Sequence, residues 1–268
     1  MPKAEAITSA ANPLLKDIRR AVSRGGLTSE GWCVAETFHL LEEALRSDCE
    51  VKVVLAAETV RSAAESHVRG LSRVKVVVLT DTLFQALSGT ETSQGVMALV
   101  KPPVWNLEQL FRGVPLVVIL DGLQDPGNGG AIVRTAEAFG ATGVLFLKGS
   151  VNPYNPKTLR ASAGSLFRIP FLHAVDSALA LAALRQHRVE LYAGVPAQSG
   201  SLARSLSQAD LTGRCGLIIG SEAHGVSGAL RSAALDISIP TVGVESLNAA
   251  VAAGILLYEA RRQRVLRA

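Results

Sequence analysis

Three short stretches in the second half of this sequence combine glycines with amide, carboxylate and hydroxyl side chains, and one ends on an arginine. Such residues orient ligands and hydroxyls more readily than they fill cores. The first is Asp125-Pro-Gly-Asn-Gly-Gly-Ala-Ile-Val-Arg134. Its glycines allow positive φ and close backbone approach, and free N–H groups at the start of the following helix would face an anion. That helix is expected from about 131 to 139, with Ile132, Ala136 and Phe139 as its apolar stripe and Arg134 pointing away from the core. The second is Gly220-Ser-Glu-Ala-His-Gly-Val-Ser227, where Glu222 can accept a hydrogen bond from a ligand or fix an arginine; the lone His224 is given no role. The third runs from Ile239 to Asn248. There Ser246 reads as the N-cap of the last helix, and Asn248 offers both a donor and an acceptor. Each stretch alone is equally well a structural turn.

Other chemistries fit less well. A dinucleotide fingerprint starting at Gly127 requires glycine at 132, which is Ile, and no phosphate-binding G-x-x-x-x-G-K-[ST] occurs. Cys33, Cys49 and Cys215 match no metal spacing and no disulfide framework, so a reducing cytoplasm is the plain expectation. No apolar run reaches the ~20 residues that span a bilayer, and the first residues lack the apolar region of a secretory signal. Residues 1–101 balance 12 Lys and Arg against 12 Asp and Glu, whereas residues 102–268 hold 15 against 11. Arg134, Lys148, Lys157, Arg160 and Arg168 are offset locally only by Glu137, and Arg261, Arg262, Arg264 and Arg267 close the chain. A positive field of this kind suits a polyanion.

The elements that must hold these stretches alternate. With 48% apolar and 4% aromatic residues, the composition favours α/β layering. In the first hundred residues the periodicity predicts helices at 12–22, 36–46, 58–68 and 81–87 (Asp81 as cap), and strands at 51–56, 74–79 and 94–100. Prolines 102, 103 and 115 bracket an expected linker, 102–114. The domains are therefore expected at 1–101 and 115–268. In the second, strands are predicted at 116–120, 143–147, 189–195, 216–219 and 237–239, with helices at 131–139, 155–163, 176–187 and 247–264. Short continuous apolar strands between helices indicate a mostly parallel sheet covered on both faces, with ligands at the carboxyl ends of its strands.

Together and in this order, the three stretches resemble the SpoU family of RNA ribose methyltransferases, of the SPOUT class. The match rests on Asn128-Gly-Gly-Ala-Ile-Val-Arg134-Thr-Ala, Ile219-Gly220-Ser-Glu222, and Ile239-Pro with Gly243 and Ser246-Leu-Asn248. The first half resembles the family's substrate-binding domain, of ribosomal-protein-like fold, through Ser9, Asn12-Pro13, Lys16, the 36–45 helix and Ser93-Gln94-Gly95-Val96. It departs at Thr37, where glycine is usual after Glu36, at Ala223, and at Ala249-Ala250 in place of Val-Ser.

The resemblance implies a trefoil knot in the C-terminal domain and S-adenosylmethionine bound at Ile219, Gly220, Ile239, Gly243, Leu247 and Asn248. It implies a homodimer through that domain, with each cavity near the other subunit's Arg134. Arg134 would position the target ribose and phosphate, since a guanidinium with a pKa above ~12 is a poor base. Asn128, Glu222, Ser246 and Asn248 would orient it, the ribose and the cofactor. Lys16, Arg19, Arg20, Lys157 and Arg160 would join Arg134 on RNA, with rRNA favoured over tRNA. The alternatives are an inactive RNA-binding protein on the same scaffold and a small-molecule α/β enzyme.

Overall fold

The computed structural model describes residues 5–47, 49–90, 92–196 and 203–267. It separates into two compact units, Met1–Val104 with Pro153–Arg168, and Trp105–Asn152 with Ile169–Ala268.

The first unit is built on five strands, β1 (Glu5–Ile7), β2 (Cys33–Glu36), β3 (Val51–Ala57), β4 (Lys75–Leu79) and β5 (Val96–Val100), in the order β1-β4-β3-β5-β2. β1, β4 and β3 run parallel, while β5 is antiparallel to both β3 and β2. Helices α1 (Pro13–Arg24), α2 (Phe38–Arg46), α3 (Arg61–His67), α4 (Asp81–Gln85) and α7 (Pro156–Ser162) belong to this unit. In α1, Leu15, Ile18 and Ala21 are buried while Lys16, Arg19 and Arg20 are exposed, so the helical period separates core from charge. Asn12 Oδ1 caps it by accepting from Leu14 N at 2.9 Å.

The helix expected at 36–46 begins two residues late, because Glu36 ends β2. Its carboxylate is 2% exposed. The hydroxyls of Ser88, Thr90 and Ser93 donate to Oε1, and Arg160 Nη1 donates to Oε2 at 2.9 Å. A buried carboxylate so fully satisfied fixes the strand end. The same ion pair, with that of Arg168 and Glu43, ties residues 153–168 to the first unit. Similarly Thr80, not Asp81, caps α4; Asp81 Oδ1 accepts from Thr59.

Thr37 links β2 to α2 at φ 135, ψ 154, a region that belongs to glycine. Its hydroxyl offsets part of the strain by accepting from Leu40 N at 3.1 Å. Relief of ~1–3 kcal/mol of strain outweighs the few tenths lost at the cap and the unfolded-state entropy of glycine. Thr37→Gly is therefore expected to stabilise the protein by about 1 kcal/mol in urea unfolding. A lower midpoint would show that the threonine is not strained.

The second unit carries β6 (Leu116–Asp121), β7 (Gly143–Leu147), β8 (Phe171–Val175), β9 (Glu190–Val195), β10 (Arg204–Ser205), β11 (Cys215–Gly220) and β12 (Leu235–Ser238). Their order is β10-β12-β9-β11-β6-β7-β8, and every pair is parallel. The helices are α5 (Leu107–Leu110), α6 (Pro126–Ala138), α8 (Ser177–Gln186), α9 (Gly228–Arg231) and α10 (Ala249–Arg267). Among the described residues no helix is long and apolar enough to cross a membrane.

Three expectations change here. The stretch read as a linker contains α5, whose Leu110 joins the core with Phe111, Ile119 and Leu145; its apolar spacing outweighs the flanking prolines. α6 starts at Pro126, five residues early, because Asp125 Oδ1 accepts from Asn128 N at 2.7 Å and proline suits the first helical position. The glycines are thus its first turn, with Gly129 and Gly130 buried. Finally, Asn248 rather than Ser246 caps α10, its Oδ1 accepting from Ala250 N at 2.9 Å and Val251 N at 3.2 Å.

Candidate active site

From the carboxyl end of β6 the chain turns into α6, and from that of its neighbour β11 into the 221–227 loop, which is where open parallel sheets bind ligands. Ser227 N donates to Asp121 Oδ2 at 2.7 Å, pinning that loop to the end of β6. The loop closes on itself through Ser221 N to Gly225 O, 3.1 Å, and Gly225 N to Ser221 O, 2.9 Å. Gly220 makes this possible: a β-carbon there would lie 2.1 Å from Gly225 C and 2.3 Å from Val226 N.

A cavity of about 620 Å³ opens at the ends of β9, β11 and β12. Ile219, Ile237, Ile239, Leu247 and Leu256 give it apolar walls, and Glu222, Ser246 and Asn248 lie along it with polar groups. The volume and the mixture suit a small ligand with one apolar part and a few oriented polar groups. Arg231 also lines it; the hydrogen bonds it donates to Asp236, and then that carboxylate's charge, push its guanidinium above its ordinary value.

One chain of hydrogen bonds joins the three motif stretches. Asn248 Nδ2 donates to Asn128 Oδ1 at 3.1 Å, and Asn128 Nδ2 donates to Glu222 Oε1 at 2.7 Å. An ionised Glu222 can only accept, so Asn128 must present its amide nitrogen there and its oxygen to Asn248. Asn248 must then donate to Asn128 and use its own oxygen to cap α10. Neither amide can flip without breaking a partner's bond. Asp125 and Asp121, which hold Asn128 and the second loop, were missed as site residues, although Asp-Pro ahead of a helix is a cap signature.

The remaining expected residues divide. Ile219, Gly220, Ile239, Leu247 and Asn248 line the cavity. Gly243 does not: it stands exposed in the preceding loop at φ 79, so its conformation shapes the turn and it does not touch the cavity. Arg134 is exposed on α6, outside the lining, and its side chain has no partner among the described residues. α6 packs on α10, where Gly254 comes close to Thr135 and Tyr258 meets Phe139 edge-on with ring centroids 5.8 Å apart.

In the first unit, exposed Lys16, Arg19 and Arg20 line α1, and Gly25 at its end abuts Asn155, the cap of α7, just before exposed Lys157. Arg160, expected with them on RNA, is committed to Glu36. The terminal arginines are also largely engaged, Arg262 with Glu259, Arg264 with backbone carbonyls and Arg267 with Thr212 and Asp210.

Residues 115–258 match the model of the SpoU rRNA Methylase family, and residues 12–98 that of an MRM3-like substrate binding domain. The chain is 33% identical over 262 residues to the 23S rRNA (guanosine(2553)-2′-O)-methyltransferase RlmP of Bacillus subtilis, covering 95% of this chain and 98% of that one. The AdoMet-bound rRNA methyltransferase of Sinorhizobium meliloti superposes with a TM-score of 0.82 at 27% identity, over 97% and 98% of the two chains. The SpoU methyltransferase AviRb of Streptomyces viridochromogenes, in complex with AdoMet, gives 0.80 at 26% identity, over 95% and 100%. With the motif stretches joined by hydrogen bonds beside one cavity and both units matched, this chain belongs to the SpoU rRNA methylase family.

Proposed function

We propose that the protein methylates a ribose 2′-hydroxyl of rRNA, using S-adenosylmethionine as the methyl donor. The observation that carries this reading is the Asn248–Asn128–Glu222 chain, whose two end residues line the 620 Å³ cavity. The donor supplies an electrophilic methyl group on a sulfonium, so the protein needs no nucleophile of its own. Ile219, Gly220, Ile239 and Leu247 would hold it, with Ser246 and Asn248 orienting its polar groups.

The protein's task is to place a hydroxyl in line and ease the loss of its proton. A ribose hydroxyl is a weak nucleophile near neutral pH. Arg134 holds the adjoining phosphate and favours negative charge on the attacking oxygen, which a permanent cation does well. Its exposure outside its own cavity supports a homodimer in which Arg134 of one subunit serves the cavity of the other. Val251, Ile255 and Tyr258, exposed on α10 at helical spacing, supply an apolar stripe for that contact. Lys16, Arg19, Arg20 and Lys157 would bind the RNA backbone. The same reading takes the path from β11 to α10 as a trefoil knot, and Cys33, Cys49 and Cys215, which form no disulfide among the described residues, as a sign of the cytoplasm.

The names of the relatives favour 23S rRNA over tRNA. Mapping ribose methylation across 23S rRNA and tRNA in a strain lacking the gene tests this. One 2′-O-methyl group should vanish from 23S rRNA and return on complementation. An undiminished set would reject the proposal.

A further inference from the structure

The amino-terminal ends of β9, β11 and β6 carry arginines that the cavity does not use. Glu190, Cys215 and Leu116 stand level across these strands, so the residues before them form one edge. Arg214 bridges it, donating from Nε to His187 O at 2.8 Å and from Nη1 to Gly113 O at 3.0 Å. Arg264 reaches the same edge from α10, donating to the carbonyls of Val114, Pro115 and Gly213. Arg112 precedes Gly113, Arg188 follows His187, and Arg185 lies in the last turn of α8; all three are exposed.

Carbonyl oxygens orient a guanidinium but leave its charge in place. Among the described residues none of these five arginines has a carboxylate at ion-pair distance. Two nearby acids are turned elsewhere, Glu108 to His187 and Asp210 to Arg267. Arg188 adds a second observation. It holds φ 53 just past α8, the position where helices commonly place glycine. An exposed cation is thus kept where a glycine would be less strained.

We propose that this edge binds the sugar–phosphate backbone of the RNA substrate, away from the methylated nucleotide. The proposal rests on the RNA substrate argued above. Six-residue strands span about 20 Å, so the edge lies roughly that far from the cavity at their other end. Arginines here contact phosphates without reading sequence, and they lengthen the footprint without touching the reacting atoms.

The test uses the full-length protein and an unmodified 23S rRNA transcript, with Arg112→Gln and Arg188→Gly combined. Filter binding across a salt series should show affinity about 10-fold weaker, and the slope of log K against log salt shallower by about 1 to 2. The KM for the transcript should rise with kcat within about twofold, and the melting temperature should not fall, because glycine suits position 188. Unchanged affinity and slope in the folded double variant would overturn the proposal while leaving the methyltransferase reading intact. So would a fall in kcat at constant KM. A wild-type protein that neither binds nor methylates the transcript would instead overturn the RNA reading itself.

Discussion

Arg134→Ala is expected to lower kcat for rRNA methylation by about 10²–10³-fold, the usual loss when one preorganised charge is removed from a developing oxyanion. Affinity for S-adenosylmethionine, measured by calorimetry, should stay within about twofold, because Arg134 lies outside the cavity lining. Arg134→Lys keeps the charge but loses the planar fork that grips a phosphate, so it should recover only part of the rate. Complementation tests whether the arginine works across subunits. Mixed dimers of Arg134→Ala and Gly220→Ala chains retain one intact combination, and an equal mixture should regain about a quarter of wild-type activity. No recovery would place Arg134 at its own subunit's cavity.

Gly220→Ala is the second large effect. The added β-carbon meets backbone atoms of Gly225 and Val226 at 2.1–2.4 Å, which no rotamer change relieves. The 221–227 loop must move, which opens the Ser221–Gly225 pair and draws Glu222 away from Asn128. Overpacking of this kind costs about 1–3 kcal/mol of stability. Distortion of the cavity wall should weaken S-adenosylmethionine binding about 100-fold, equivalent to ~2.8 kcal/mol. Binding within twofold of wild type in a folded Gly220→Ala protein would mean that this loop does not shape the donor's site.

The stretches that meet beside the cavity were legible because their residue types and order were unusual, and local chemistry such as Asn12 ahead of Pro13 marked a helix start correctly. What failed depended on distant partners. The run from Glu36 to Arg46 has helical spacing throughout, yet hydroxyls 52 to 57 residues away and an arginine 124 residues away draw Glu36 into the end of a strand. The glycines at 127, 129 and 130 argued against helix. Asp125 and Pro126 decided otherwise, since a capped first turn tolerates them and their small size lets the helix pack closely.

Charge counting was the weakest guide. It could not separate Arg160, which neutralises Glu36, or Arg262, which pairs with Glu259, from Arg134, which has no partner among the described residues. Gly243 matched the family's third motif, but whether a loop glycine touches a cavity depends on a backbone path that composition does not encode.

The central claim is that residues 128–134, 219–222 and 239–248 form one machine for moving a methyl group onto a ribose oxygen. The most direct measurement supplies the purified protein with methyl-labelled S-adenosylmethionine and unmodified 23S rRNA, then hydrolyses the product in alkali. A 2′-O-methyl group blocks cleavage at its own phosphodiester, so the label should appear in a single alkali-resistant dinucleotide. Label in ordinary mononucleotides would mean a base is the acceptor, and unlabelled RNA after donor binding would mean the convergent stretches hold a ligand without transferring it.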